Sequence, residues 1–302
     1  MLKTRVISAI ISVPIIILPL YIGGNLLAAL VFMLSIAGLY EYYKAFKNVG
    51  SKPETTIGYI STIAYYFIIL ANKNLVFFIS LLIFLILILL FFDIMKKDKS
   101  IIDAAITILS LLYIPFMFSN ILFLERGSYG RHLVFLPFLA AWLSDTFAYF
   151  IGIRFGKNKL CPKISPNKTI EGSLGGIIAS ILFTTAAGMF FIKLSIPISL
   201  YHYIIIGALS SIMGQTGDLF ASYIKRFCNI KDFSNILPGH GGILDRFDSI
   251  LFTAPTVYFY FKLFIKNFWE GCIVLNITIL GSTGSIGKQT LDIVRENEDF
   301  FK

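Results

Sequence analysis

Between Gly214 and Ser249 the chain reads GQTGDLFASYIKRFCNIKDFSNILPGHGGILDRFDS, which sets Asp218, Asp232, Asp245 and Asp248 among Lys225, Arg226, Lys231 and Arg246. Asp218 ends an otherwise apolar run, where an ionised carboxylate is expensive unless it is paired or bound to metal. Asp245 and Asp248 are three residues apart, a spacing that puts both carboxylates on one face of a helix start. Together with Asp218 they offer hard oxygen ligands to Mg²⁺, which is held by few carboxylates and completes its shell with water and substrate phosphates. The cations and the Pro238-Gly239-His240-Gly241-Gly242 turn supply positive charge and backbone amides that approach oxygen closely. Phosphoryl and nucleotidyl transfer needs this mixture. The plainer alternative is a charged interhelical loop, but a merely solvated loop does not require glycines placed between acids and bases.

A second cluster lies upstream, in WLSDTFAYFIGIRFGKNKL and SPNKTIEGSLGG. Asp145 stands one helical turn before Tyr149 in an apolar run and is a candidate site residue on the cost of its charge alone. A structural hydrogen-bond partner for another helix is the alternative. Ser165, Asn167, Lys168, Thr169 and Glu171 precede Gly172 and a new apolar run, so they can present hydroxyls, a cation and a helix N-terminus to a phosphate. His240, inside the glycine turn, is placed to contact phosphate or orient a ligand, whereas His132 and His202 read as interfacial. Cys161, Cys228 and Cys272 show no metal-ligand pairing and read as packing residues.

The elements that must position these residues belong in a bilayer. Of the 302 residues 57% are hydrophobic and 14% charged, and the mean hydropathy is +0.80, far from a soluble domain. The fold class is therefore all-α, a polytopic transmembrane bundle of about nine spans, near 6–22, 26–43, 57–71, 75–92, 101–124, 132–153, 173–192, 199–220 and 249–265. The first is read as a retained span, because no small-residue cleavage site follows it. Gly23-Gly24-Asn25 suits a tight hairpin after it. Alternating the spans from a cytoplasmic N-terminus places seventeen Lys and Arg residues inside against six outside, the bias that orients membrane helices. Both polar loops, 154–172 and 221–248, then face the cytoplasm of an inner (plasma) membrane, where nucleoside triphosphates are found. The net charge of +9 is spread over short loops rather than one stripe, so it argues for topology and against a nucleic acid polymer as partner.

SYIKRFCNIKDFSNILPGHGGILDRFD, from Ser222 to Asp248, resembles the signature of phosphatidate cytidylyltransferases, also called CDP-diglyceride synthases. The LSDTFAYFIG and SPNKTIEG segments resemble that family too, and the likeness covers roughly residues 1–266. It implies that the phosphate of phosphatidate attacks the α-phosphorus of CTP, giving CDP-diacylglycerol and pyrophosphate, with Mg²⁺ as cofactor. It also implies roles: Asp218, Asp245 and Asp248 as metal-binding carboxylates with Asp145 contributing, and Lys225, Arg226, Lys231 and Arg246 gripping phosphates. Ser165, Lys168 and Thr169 would help to hold nucleotide or lipid headgroup, together with His240, Gly241 and Gly242. Membrane enzymes of this size often pair; no heptad or small-residue motif decides for or against a homodimer.

Residues 267–302 do not fit this design. From Asn276 the chain reads NITILGSTGSIGKQTLDIVRENEDFFK, a strand, a Gly281, Gly284, Gly287 loop and a helix opening, and it resembles the N-terminus of 1-deoxy-D-xylulose 5-phosphate reductoisomerase. One strand and half a helix cannot build a dinucleotide-binding sheet, so a read-through or fusion remnant is expected. Two other functions fit parts of the pattern. A CTP-dependent polyprenol or phytol kinase would release CDP rather than pyrophosphate. A transporter would line a path with its charges instead of concentrating them at one face, and no inverted repeat is evident.

Overall fold

In a bilayer every backbone N–H and C=O must be satisfied within its own segment, so the apolar runs become helices. The computed structural model describes residues 13–71, 75–95, 100–236, 241–265, 284 and 288–292. Its helices are α1 (Val13–Ile22), α2 (Gly24–Lys47), α3 (Thr55–Ala71), α4 (Leu75–Ile94), α5 (Ile101–Glu125) and α6 (Gly130–Phe155). A short antiparallel hairpin follows, β1 (Lys159–Cys161) and β2 (Ser165–Thr169), and then α7 (Ile170–Lys193), α8 (Leu200–Phe227) and α9 (Leu244–Phe264).

Among the described residues six helices are long and apolar enough to cross a membrane: α2, α4, α5, α6, α7 and α8. The expected count of about nine spans is thus not reached on that criterion. α1 and α3 are shorter apolar helices, and α9, although 21 residues long, carries Asp245, Arg246, Asp248 and Lys262. Part of the first expected span, and most of the tail from 267 to 302, lie outside the described residues. The turn at Gly23, with φ 72°, joins α1 to α2 where the glycine pair is found.

Packing around the site follows from small residues. α7 lies against α6 so closely that a Cβ on Gly172 would sit 2.6 Å from Ala148 O, and one on Gly176 2.8 Å from Ser144 O. Small residues at helix contacts allow this approach in membranes, where no water is gained by burying apolar surface. α8 packs on α6, α7 and α9, and α9 also packs on α5 and α6. The C-terminal half of α2 joins them: Phe46 meets Phe227 at the end of α8, with ring centroids 5.9 Å apart. α4, apolar all round, buries only Leu90 and Asp93, as a lipid-facing helix would.

α5 widens into a π turn at Leu112–Phe116 around Pro115. Proline has no N–H to donate and its ring crowds the carbonyl one turn back, so a wider turn relieves both problems. The turn sets Tyr113 against Phe220 of α8 and Phe252 of α9, with ring centroids 5.1 Å and 6.4 Å away.

Candidate active site

Three carboxylates from three helices meet where α6, α8 and α9 pack together. Asp145 lies mid-way along α6, Asp218 is near the end of α8 and Asp248 is in the opening turns of α9. Ser249 ties two of them, donating its hydroxyl to Asp145 Oδ2 at 3.1 Å and its backbone N–H to Asp248 Oδ1 at 2.7 Å. Lys168 of β2 pairs with Asp218, which also accepts from Ser222 Oγ at 3.4 Å. The negative charges of Asp218 and Asp145 act on Asp248, and that of Asp218 acts on Asp145; Lys225 offsets the first and Lys168 the second.

This group suits a divalent cation that shares its shell with phosphate. No described residue donates to Asp145 Oδ1 or Asp248 Oδ2, so both atoms remain for a ligand, and mutually repelling carboxylates are relieved by added positive charge. Among the described residues no three His, Cys, Asp or Glu side chains form a ready-made metal site.

Asp245 stands apart from this group. Its Oδ1 accepts from Lys225 Nζ at 2.8 Å, and its Oδ2 accepts from the backbone N–H of Phe233 at 2.8 Å and of Gly242 at 2.9 Å. The two side chains are only 13% (Lys225) and 5% (Asp245) exposed, and the ammonium also lies over the Phe233 ring, 5.6 Å from its centroid. The expected set of Asp218, Asp245 and Asp248 is therefore divided: Asp245 faces back to the preceding loop, whereas Asp248, one turn on, faces α6 and α8. Gly241 sits at φ 83°, and a Cβ there would come 3.1 Å from Asp245 Oδ2, so a glycine allows the chain to fold over the carboxylate.

The remaining expected residues take varied places. Arg226 is exposed at the end of α8 and donates its Nε to Ile164 O at 3.3 Å, tying the β hairpin to α8. Arg246 and Lys231 are exposed and Ser165 is half-buried on β2. Thr169 is buried and caps α7, accepting from the N–H of Gly172 at 3.2 Å. Glu171, in the first turn of α7, accepts from the backbone N–H groups of Lys157 and Asn158. At the α7 N-terminus the N–H groups of Ile170 and Gly172 are engaged, by Asn158 O and Thr169 Oγ1. His240, Pro238 and Gly239 lie outside the described residues.

Sequence reasoning missed several neighbours. Tyr113 is 2% exposed, its hydroxyl has no hydrogen-bond partner among the described residues, and the charges of Asp248, Asp218 and Asp245 act on it. A lone tyrosine in an apolar helix gives no sequence signal; the proline two residues on was the only mark. Behind the acids, Gln215 bridges α8 to α7: its Oε1 accepts from Ser173 Oγ at 2.5 Å and its Nε2 donates to Ser173 O and Ser211 Oγ. Ser211 in turn meets Ser144, beside Asp145, at 2.7 Å. Polar side chains at such spacings in apolar helices were the available clue.

The sequence profile of the cytidylyltransferase family matches residues 3–264. The chain belongs to that family. Its relatives include the phosphatidate cytidylyltransferases of Staphylococcus epidermidis and Staphylococcus haemolyticus, each 38% identical over 260 residues, and that of Staphylococcus aureus, 36% identical over 263. Each alignment covers 84% of this chain and 96% of the relative. Residues 277–302 instead match the profile of 1-deoxy-D-xylulose 5-phosphate reductoisomerase. Every acid and base of the site falls within the cytidylyltransferase match.

Proposed function

We propose that this chain transfers a cytidylyl group from CTP to phosphatidate, giving CDP-diacylglycerol and pyrophosphate. The observation that carries the reading is the meeting of Asp145, Asp218 and Asp248 with Lys168 and Lys225 beside them, in a chain whose relatives are named for this reaction. An oxygen of the lipid phosphate forms a bond to the α-phosphorus of CTP as the bond from that phosphorus to pyrophosphate breaks. The attacking oxygen is already anionic near neutral pH, so no side chain has to remove a proton from it.

Asp145, Asp218 and Asp248 would hold Mg²⁺, and Asp245 would instead keep Lys225, Phe233 and Gly242 in place. When bound, the ion neutralises triphosphate charge and aligns the phosphates for in-line attack. Lys168, Lys225, Arg226, Lys231 and Arg246 supply cations to the phosphates, and Tyr113 offers its hydroxyl to a phosphate oxygen. Gly241, Gly242 and His240 would approach the nucleotide, with Ser165 and Thr169 forming the opposite wall. The site would face the cytoplasm from the plasma membrane, a reading supported by the Lys and Arg bias of the loops. Residues 1–266 would form the catalytic unit and 267–302 an appendage. Purified protein incubated with CTP, phosphatidate and Mg²⁺ should yield pyrophosphate and a cytidylylated lipid in equal amounts; release of CDP instead would replace this reading with a kinase.

A further inference from the structure

Glu41 lies six residues before the end of α2, in a helix of otherwise mostly apolar and aromatic character, and is 0% exposed. A buried carboxylate without compensation costs several kcal/mol. Among the described residues no Lys or Arg pairs with it; its partners are three donors from a distant part of the chain. Oε1 accepts from Ser234 Oγ at 2.5 Å and from the backbone N–H of Ile243 at 2.8 Å, and Oε2 accepts from the N–H of Leu244 at 2.8 Å. The residue at the N-cap of α9, Ile243, has helical backbone angles and no capping side chain. Glu41 supplies that cap from another helix, at the end where the helix dipole favours negative charge.

The approach has a steric signature. A Cβ on Gly242 would lie 2.6 Å and 2.7 Å from the two Glu41 oxygens, so any larger residue at 242 would push the carboxylate off the helix end. Leu244 reaches α2 as well, where a Cβ on Gly38 would come 3.1 Å from it. Asp245 pins Phe233 and Gly242 from the α9 side, and Glu41 pins Ser234, Ile243 and Leu244 from the α2 side. Both ends of the segment between 233 and 244 are held by carboxylates, and Asp248 follows one helical turn after Leu244.

We propose that Glu41 is a positioning residue: by capping α9 and holding both ends of the 234–243 segment to α2, it sets Gly241, Gly242 and Asp248 at the depth and rotation the nucleotide requires. The inference rests on the cytidylyl-transfer reading for its kinetic consequence and on geometry alone for the clamp. The test uses the full chain in lipid nanodiscs, as wild type, Glu41→Gln and Glu41→Ala. Amide hydrogen exchange at Ile243 and Leu244 reads the clamp, and initial rates of pyrophosphate release against CTP and phosphatidate read its effect.

In Glu41→Ala the two amides exchange faster and kcat/KM for CTP falls by about tenfold or more, the scale expected when charge-assisted hydrogen bonds are lost, mainly through KM for CTP. Glu41→Gln keeps the side-chain volume and one acceptor oxygen, so it folds like wild type and recovers part of both losses. The proposal is overturned if exchange at Ile243 and Leu244 is unchanged in Glu41→Gln and Glu41→Ala. It is equally overturned if rates fall only in proportion to the folded fraction while KM for CTP stays constant. Wild-type protein that makes no CDP-lipid would sink the cytidylyl-transfer reading, with the exchange measurement still deciding the clamp.

Discussion

Removing the Asp245 carboxylate should damage the protein in a way that reveals its partner. In Asp245→Ala, Lys225 would be left almost buried without the carboxylate it pairs with, and the N–H groups of Phe233 and Gly242 would lose their acceptor. Breaking one side of a buried pair costs about 3–5 kcal/mol, mostly the penalty of the stranded charge. For a chain of this size that corresponds to a fall in thermal midpoint on the order of 10 °C. Lys225→Met alone should cost less, since Asp245 keeps two backbone donors. Combining Lys225→Met with Asp245→Leu should recover the share of the loss that comes from the stranded ammonium, because an apolar pair can replace an ion pair, while the N–H groups of Phe233 and Gly242 stay without their acceptor. Catalysis should not return with it, since the double variant lacks the cation and the loop anchor. Thermal unfolding in detergent and pyrophosphate release, measured on all four proteins, separate the two effects. A drop of under 1 kcal/mol in Asp245→Ala, or recovery of activity in the double variant, would refute the reasoning.

Asp145→Asn and Asp248→Asn should each lower turnover by about 10²–10³-fold while leaving the thermal midpoint within a few degrees of wild type, the pattern expected for groups that act on transition-state charge; steady-state rates beside melting curves check it. Chelation with EDTA should reduce pyrophosphate release to background, and added Mg²⁺ should restore it; rates unaffected by chelation would contradict the carboxylate assignment. Tyr113→Phe removes a buried hydroxyl that has no hydrogen-bond partner among the described residues, so stability should hold or rise by about 1 kcal/mol while kcat/KM falls about tenfold. Unchanged kinetics would show that the hydroxyl does not meet substrate. A chain ending at Ile265 should retain full CTP-dependent activity, because all the acids and bases of the site lie before that point; loss of activity on truncation would give the tail a role.

The membrane setting, the helical architecture and the two segments that carry the candidate site residues were readable from residue type and spacing. The physical reason is the cost of charge in hydrocarbon: Asp145 and Asp218 stand out in apolar runs because nothing but function or pairing justifies them. Helix ends were also near their expected places: α6 and α7 cover the runs at 132–153 and 173–192 with one to three residues added at each end, and α8 starts within a residue of the run at 199–220 but continues seven residues past it. The span count was less readable, because length and hydropathy do not distinguish a crossing helix from a short or polar one packed inside the bundle.

What the linear order could not decide is which carboxylate faces which neighbour. Spacing put Asp245 and Asp248 on one helix face, yet about 60° of rotation between them is enough to send one to Lys225 and the loop and the other to Asp145 and Asp218. The rotation of α9 depends on what it packs against, including a carboxylate at Glu41 some 200 residues earlier. Tyr113 likewise lies where the charges of the acids act on it, in the turn of α5 that widens around Pro115. The sequence by itself determined that this is a membrane protein with acids and bases suited to phosphate chemistry. Only the tertiary structure decided their grouping, because contacts between helices far apart in the chain leave no spacing to read.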